Sequence, residues 1–325
     1  MRAVLARLAS QRAGTVNRYE LPFVQALALL LNERRPWLDD GPPCASEVRS
    51  VNVGGRSFRI QVYQPESCAS QRVLIYLHGG GWCVGSPGTH DNIVRRLAAS
   101  LCCTAWSVEY ALAPEAPFPA GLLDCIAAVE LARREYPDAG LVVGGDSAGA
   151  NLALDVARRL RDRGQALIDA LLLFYGVYTD ACSGPSMQAY GDGRYGLSRA
   201  AHERYLEAYA GPMGRNSLAR TFALHASADL HGLPRCWLAA AELDILRDQT
   251  HLLAEKLRNA HVSIHLDEVP GVTHGFLSYG RELPQVDVVV EKATRWVVEH
   301  PEVGGGRAGQ AGGASGRARS GAAGR

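Results

Sequence analysis

Apolar and polar positions along the chain switch between two periods. Residues 47–53 and 57–63 alternate every second position and meet at Gly54-Gly55, a pattern that predicts a β-hairpin. Residues 72–77, 102–108, 171–175, 235–241 and 262–269 are short, nearly continuous apolar runs of the buried-strand type. Between them, residues 91–101, 120–136, 151–160, 249–259 and 286–298 carry apolar side chains at helical spacing. Strands alternating with helices imply an α/β architecture, a mainly parallel sheet with helices on both faces.

Two stretches break the alternation. Residues 1–36 read as helical, with Val4, Leu5 and Leu8 on one stripe, and are expected to end before Pro36 at the turn-rich linker Asp39-Asp40-Gly41-Pro42-Pro43. After Tyr175 the pattern lapses for roughly 55 residues, a length that in a compact domain usually serves function, with one helix expected at 199–210. The division that follows is an N-terminal helical cap segment (1–43), a core (44–176 and 232–300), a lid insertion (177–231) over the sheet's carboxyl edge, and a tail (301–325). That tail is nearly all Gly, Ala, Arg, Ser and Gln, too poor in apolar bulk to offset its ordering entropy, and is expected to be disordered.

Composition narrows the function classes. Of 325 residues 47% are hydrophobic and 21% charged, ordinary for a globular protein with a sizeable core. A net charge of +1 gives no electrostatic case for nucleic acid. No apolar run reaches the roughly 18 residues of a membrane span, so no stable membrane anchor is expected. The eight cysteines have no Cys-x-x-Cys pair, which favours reduced thiols over a disulfide frame or zinc site. Cys102 and Cys103, read as strand residues, would face opposite sides. The first 18 residues hold four arginines and no acid, superficially like a transit peptide. A plain amphipathic helix is the preferred reading, and a cytoplasmic location the expectation.

The candidate chemistry centres on Gly145-Asp146-Ser147-Ala148-Gly149, where a buried run meets a helical one. Gly-x-Ser-x-Gly at a sharp strand-to-helix turn projects a serine Oγ clear of the sheet and puts the next amide at a helix N-terminus, where developing negative charge is stabilised. Acyl transfer then needs a base, a carboxylate to orient it, and main-chain donors for the oxyanion. Of ten histidines, His274 stands out in the glycine-flanked loop Pro270–Phe276 after the final strand, whereas His202, His225 and His231 fall in the insertion. For the acid, Asp244 lies just past the strand 235–241, with Glu242 as rival; Asp248 suits a helix start or a supporting bond to the His274 loop. The triplet Gly79-Gly80-Gly81 after a buried strand lets the backbone approach a substrate, with Gly80, Gly81 and Ala148 as candidate donors.

The runs His78-Gly79-Gly80-Gly81, Tyr110–Glu115, Gly145–Gly149, Asp244-x-Leu246-x-Asp248 and His274-Gly275-Phe276 together resemble the hormone-sensitive-lipase family of α/β-hydrolases, especially its bacterial acetyl esterases, over roughly residues 45–300. The resemblance implies an eight-stranded α/β-hydrolase fold with a two-part helical lid and a Ser147-Asp244-His274 triad. It implies an oxyanion hole from Gly80, Gly81 and Ala148, and His78 as orienter of the Gly loop, supported by Gly79 and Asp146. It also implies a short-chain ester substrate and no metal or organic cofactor. Departures are Ala111 where the family usually has Arg and Ile245 where it usually has Pro. Amide or lactone hydrolysis by the same triad stays open, as do homo-oligomerisation and a non-catalytic receptor on the same fold. Known receptors of that kind lack the base, which here is present as His274.

Overall fold

The structure is a computed structural model that describes residues 1–12 and 18–300; the tail expected at 301–325 lies outside them. Gly54 and Gly55, both at positive φ, turn β1 (Cys44–Val53) into β2 (Arg56–Pro65), paired from Val53↔Arg56 to Cys44↔Pro65. Then come β3 (Arg72–Leu77), β4 (Thr104–Glu109), β5 (Gly140–Asp146), β6 (Ala170–Phe174), β7 (Arg235–Leu243) and β8 (Ile264–Thr273). The eight strands form one sheet in the order β1-β2-β4-β3-β5-β6-β7-β8. β2 is antiparallel to its neighbours, and every pairing from β4 to β8 is parallel.

The helices are α1 (Arg2–Arg12), α2 (Phe23–Leu38), α3 (Asp91–Leu101), α4 (Ala120–Glu135), α5 (Ala148–Asp162), α6 (Pro185–Tyr190), α7 (Arg199–Ala210), α8 (Arg215–Ala219), α9 (Arg247–Asn259) and α10 (Gln285–Glu299). Successive strand residues face opposite ways, so each apolar run feeds two cores. Val73, Ile75 and Leu77 of β3 join α4, α5 and α9, while Leu74 and Tyr76 join α1, α3 and α10. At about 1.5–3 kcal/mol for each fully buried aliphatic side chain, burial on both faces explains why these strands read as continuous rather than alternating runs. None of the described helices is long and apolar enough to cross a membrane.

Two local expectations are corrected, and the helix expected at 199–210 is present as α7. Helix α2 does not stop before Pro36 but continues to Leu38. Trp37 is fully buried, packs edge-on against Tyr279 at 4.9 Å and donates its indole N–H to Glu282, so tertiary contacts hold the last turn despite the donor that proline lacks. Cys102 is not a strand residue; at φ 48° it is the left-handed cap of α3, and β4 begins two residues later. The insertion holds α6 and α8 as well as α7. These two helices have six and five residues, too short to give a periodic signal.

Helix α7 packs against both the Gly loop and the N-terminal segment. Tyr209 stacks on Trp82 at 4.2 Å, Tyr205 stacks on Phe23 at 5.7 Å, and Arg204 donates to the carbonyls of Tyr19 and Leu21.

Candidate active site

β5 delivers Ser147 to the carboxyl edge of the sheet at φ 54°, ψ −120°, a region that L-residues rarely occupy and that costs of order 1–3 kcal/mol. The surroundings over-determine the turn. The Ser147 amide donates to Phe174 O at 2.9 Å, and a Cβ on Gly149 would fall 1.9 Å from the Leu77 carbonyl. The loop after β8 brings His274 to it: His274 Nε2 lies 2.9 Å from Ser147 Oγ, and His274 Nδ1 lies 2.7 Å from Asp244 Oδ2. Asp244, buried just beyond β7, also accepts the Leu246 amide at 3.0 Å through Oδ1. One carboxylate oxygen is thus fixed by backbone while the other faces the imidazole. With Nδ1–H donated to Asp244, Nε2 is left to accept the serine proton.

The Gly loop after β3 is tied to the elbow by Asp146. Its Oδ1 accepts the Tyr76 hydroxyl at 2.8 Å and the Gly79 amide at 2.9 Å, and His90 Nε2 stands 3.3 Å away. Burial alone would raise this carboxyl's pKa, but His90, the Arg34 guanidinium and the Tyr76 hydroxyl together hold it well below the usual carboxylate range, so it stays ionised. Arg34 of α2 donates to Thr89 O at 3.0 Å and lies 3.1 Å from His90. His78 stacks on Tyr110 at 4.2 Å, with Nδ1 bonded to Gly79 O at 2.9 Å. Burial and the neighbouring His90 bring its pKa down to about 3, leaving a neutral ring. Gly80 and Gly81 sit at φ 125° and 59°; a Cβ on Gly81 would lie 2.3 Å from the Tyr205 ring. Ala148 opens α5 directly after the serine.

A cavity of about 70 Å³ lies over Ser147, with Gly80, Gly81 and His274 in its wall. Sequence reasoning missed several other lining residues: Arg34, His202 and Tyr205, and Arg18 and Tyr19 ahead of α2. A signal was available for two of them, because His202, Tyr205, Leu206 and Tyr209 recur at helical spacing along one buried stripe of α7. Nothing local marked that stripe as facing a reaction site.

Asp248 is corrected. It neither caps α9 nor meets the His274 loop; it accepts the Ser186 amide at 2.7 Å and pairs with Arg247, fastening α6 to the core. A carboxylate bond to the chain leading into His274 comes instead from Glu242, the rival of Asp244 for the acid, which accepts the Gly271 amide near the end of β8 at 2.6 Å. Among the described residues no group of three or more His, Cys, Asp or Glu side chains is placed to hold a metal ion.

Comparison with known proteins agrees in kind. Residues 74–278 match the family model described as the alpha/beta hydrolase fold. Over 278 residues the chain is 32% identical to an acetyl esterase of Salmonella typhi, covering 82% of this chain and 84% of that protein. It is similar to an ester hydrolase from the metagenome of Lake Arreo, solved with a bipyridine phosphonate derivative (TM-score 0.84, 31% identity, 92% and 97% of the two chains). It also resembles a hyperthermophilic esterase from the archaeon Pyrobaculum calidifontis (TM-score 0.83, 28% identity, 91% and 96% of the two chains).

Proposed function

The chain belongs to the hormone-sensitive-lipase type of α/β-hydrolase and is a carboxylesterase, and from that premise we propose that it cleaves short-chain acyl esters through a Ser147-His274-Asp244 triad. The observation that carries the reading is the continuous relay from Ser147 Oγ through the His274 ring to Asp244, at 2.9 and 2.7 Å. His274 takes the serine proton as Oγ attacks the ester carbonyl. The amides of Gly80, Gly81 and Ala148 receive the tetrahedral oxyanion, and the His274 proton passes to the departing alcohol. Water activated by the same imidazole then hydrolyses the acyl-enzyme and regenerates the serine.

The short-chain assignment is supported by the cavity. At about 70 Å³ it holds roughly five water-sized groups, enough for an acetyl group and a small alcohol, and the Salmonella typhi relative is named an acetyl esterase. The N-terminal segment (1–43) and the insertion (177–231) are read as its two-part cover. A reducing, cytoplasmic setting is supported by eight cysteines that are all free thiols.

The test compares wild type with Ser147→Ala on nitrophenyl esters of increasing acyl length. We expect fluorophosphonate labelling of wild type alone, highest kcat/KM on acyl groups of about two to four carbons, and a loss of about 10⁴-fold or more in the variant. Best rates on long chains would overturn the acyl assignment, and a fully active Ser147→Ala would overturn the triad.

A further inference from the structure

Among the buried polar side chains around the cavity, His202 has no duty in the fold that its chemistry requires. It lies on α7, is 2% exposed, and lines the same cavity as Ser147 and His274. Its Nε2 is buried with no hydrogen-bond partner among the described residues. The helix start does not need it, since the Ser198 hydroxyl already accepts the Ala201 amide at 3.1 Å. His78 Nε2 is likewise without a partner among the described residues, but its ring stacks on Tyr110, bonds Gly79 O through Nδ1 and stays out of the cavity wall, whereas His202 lines it. A buried polar atom without a partner costs about 1–3 kcal/mol, and one in the wall of the reaction cavity can be paired by a group that enters with the substrate.

The cavity that His202 lines also holds Ser147 and His274. Once His274 has taken the serine proton, it hands that proton to the departing alcohol oxygen, so the alcohol portion lies beside His274. His202 lines the same cavity of about 70 Å³ as His274, and burial, with His274 and Arg215 adding to it, brings its pKa down to about 3. A neutral imidazole offers one donor and one acceptor nitrogen, and a hydroxyl group matches either.

We propose that His202 is a specificity-determining residue whose imidazole hydrogen-bonds a second hydroxyl on the alcohol portion, next to the scissile ester, so that the favoured substrates are acyl esters of vicinal diols and polyols. The inference rests on the Ser147 triad reading and adds a substrate class to it. An ester lacking that hydroxyl leaves the imidazole unpaired in a closed cavity, which lowers its kcat/KM.

The test uses two esters of nearly equal shape, 2-hydroxyethyl acetate and propyl acetate, with the full-length protein. Wild type is expected to favour the hydroxylated ester by about tenfold or more in kcat/KM. His202→Leu should bring that ratio close to one, and His202→Gln, which keeps an N–H donor, should restore most of it. Fluorophosphonate labelling at Ser147 verifies that each variant is folded. A wild-type ratio near one overturns the inference, as does an unchanged ratio in a labelled His202→Leu, and both outcomes leave the triad standing. A preference confined to the acyl side, propyl glycolate over propyl propanoate, also overturns it. Wild type that hydrolyses none of these esters overturns the triad reading as well.

Discussion

His78, His90 and His202 are buried histidines whose pKa values are lowered from the ordinary 6.5, chiefly by burial, to about 3 in the first and third. In the unfolded chain each binds a proton as pH falls through about 6.5, whereas in the folded protein His78 and His202 stay neutral down to about pH 3. The unfolded state therefore holds more protons between about pH 6.5 and 3, and stability declines with acidification across that window, by up to about 1.4 kcal/mol per pH unit for each such histidine. Asp146 adds to the decline only at lower pH, where its unfolded carboxyl protonates first. We expect the melting temperature to fall steadily from pH 7 to 5, and His202→Leu to make that fall shallower. A melting temperature that is flat or rises on acidification would contradict the neutral-histidine assignment.

The junction of β5 and α5 shows how an element boundary makes a reaction site. Ser147 holds φ 54° where the strand and helix on either side of it approach to contact: a Cβ on Gly145 would lie 2.5 Å from the Gly149 backbone, and Gly149 in turn abuts the end of β3. Gly149→Ala would drive a methyl group to 1.9 Å from the Leu77 carbonyl, a backbone clash with no flexible side chain to yield. We expect at least about 2 kcal/mol of lost stability and loss of fluorophosphonate labelling even in protein that stays folded. Labelling at the wild-type rate would mean that the elbow tolerates widening.

This junction was readable in the sequence because its signals are local. Small residues flank a serine between a buried run and a helical one, just as Gly54-Gly55 between alternating runs marked the hairpin. The order of Ser147, Asp244 and His274 was readable for the same reason, each lying just beyond an apolar strand run. What escaped depends on tertiary partners. Pro36 is a strong stop signal that Trp37 overrides through its anchorage on Tyr279 and Glu282. Glu242 and Asp248 stand on either side of the turn between β7 and α9, each one residue inside its element, and only the path of the end of β8 decides that Glu242 meets Gly271. The spacing of His202 with Tyr205, Leu206 and Tyr209 marks an inward stripe, but its place at the cavity depends on where the insertion folds back.

At the scale of the whole molecule, the cavity is made by two segments that the sheet does not contain. Arg18, Tyr19, Leu30 and Arg34 come from before β1, and Leu197, His202 and Tyr205 from the insertion between β6 and β7. Arg204 fastens one to the other: its guanidinium donates to Tyr19 O and Leu21 O and lies 4.2 Å from the Phe23 ring centroid, while Phe23 stacks on Tyr205. Arg204 lines no part of the cavity, so replacing it acts on the enclosure rather than the chemistry. Two hydrogen bonds to backbone carbonyls and one cation–π contact hold the join with about 1–3 kcal/mol. For Arg204→Ala we expect faster amide exchange across residues 18–38, with the strands of the sheet unchanged. A KM raised by about threefold or more, with a smaller change in kcat, should accompany it, because a loosened wall weakens substrate binding while Ser147, His274 and Asp244 keep their places. Unchanged exchange in the N-terminal segment would show that α1 and α2 are held by their own contacts with the core, through Val4, Leu30 and Trp37, and that the two walls of the cavity are independent.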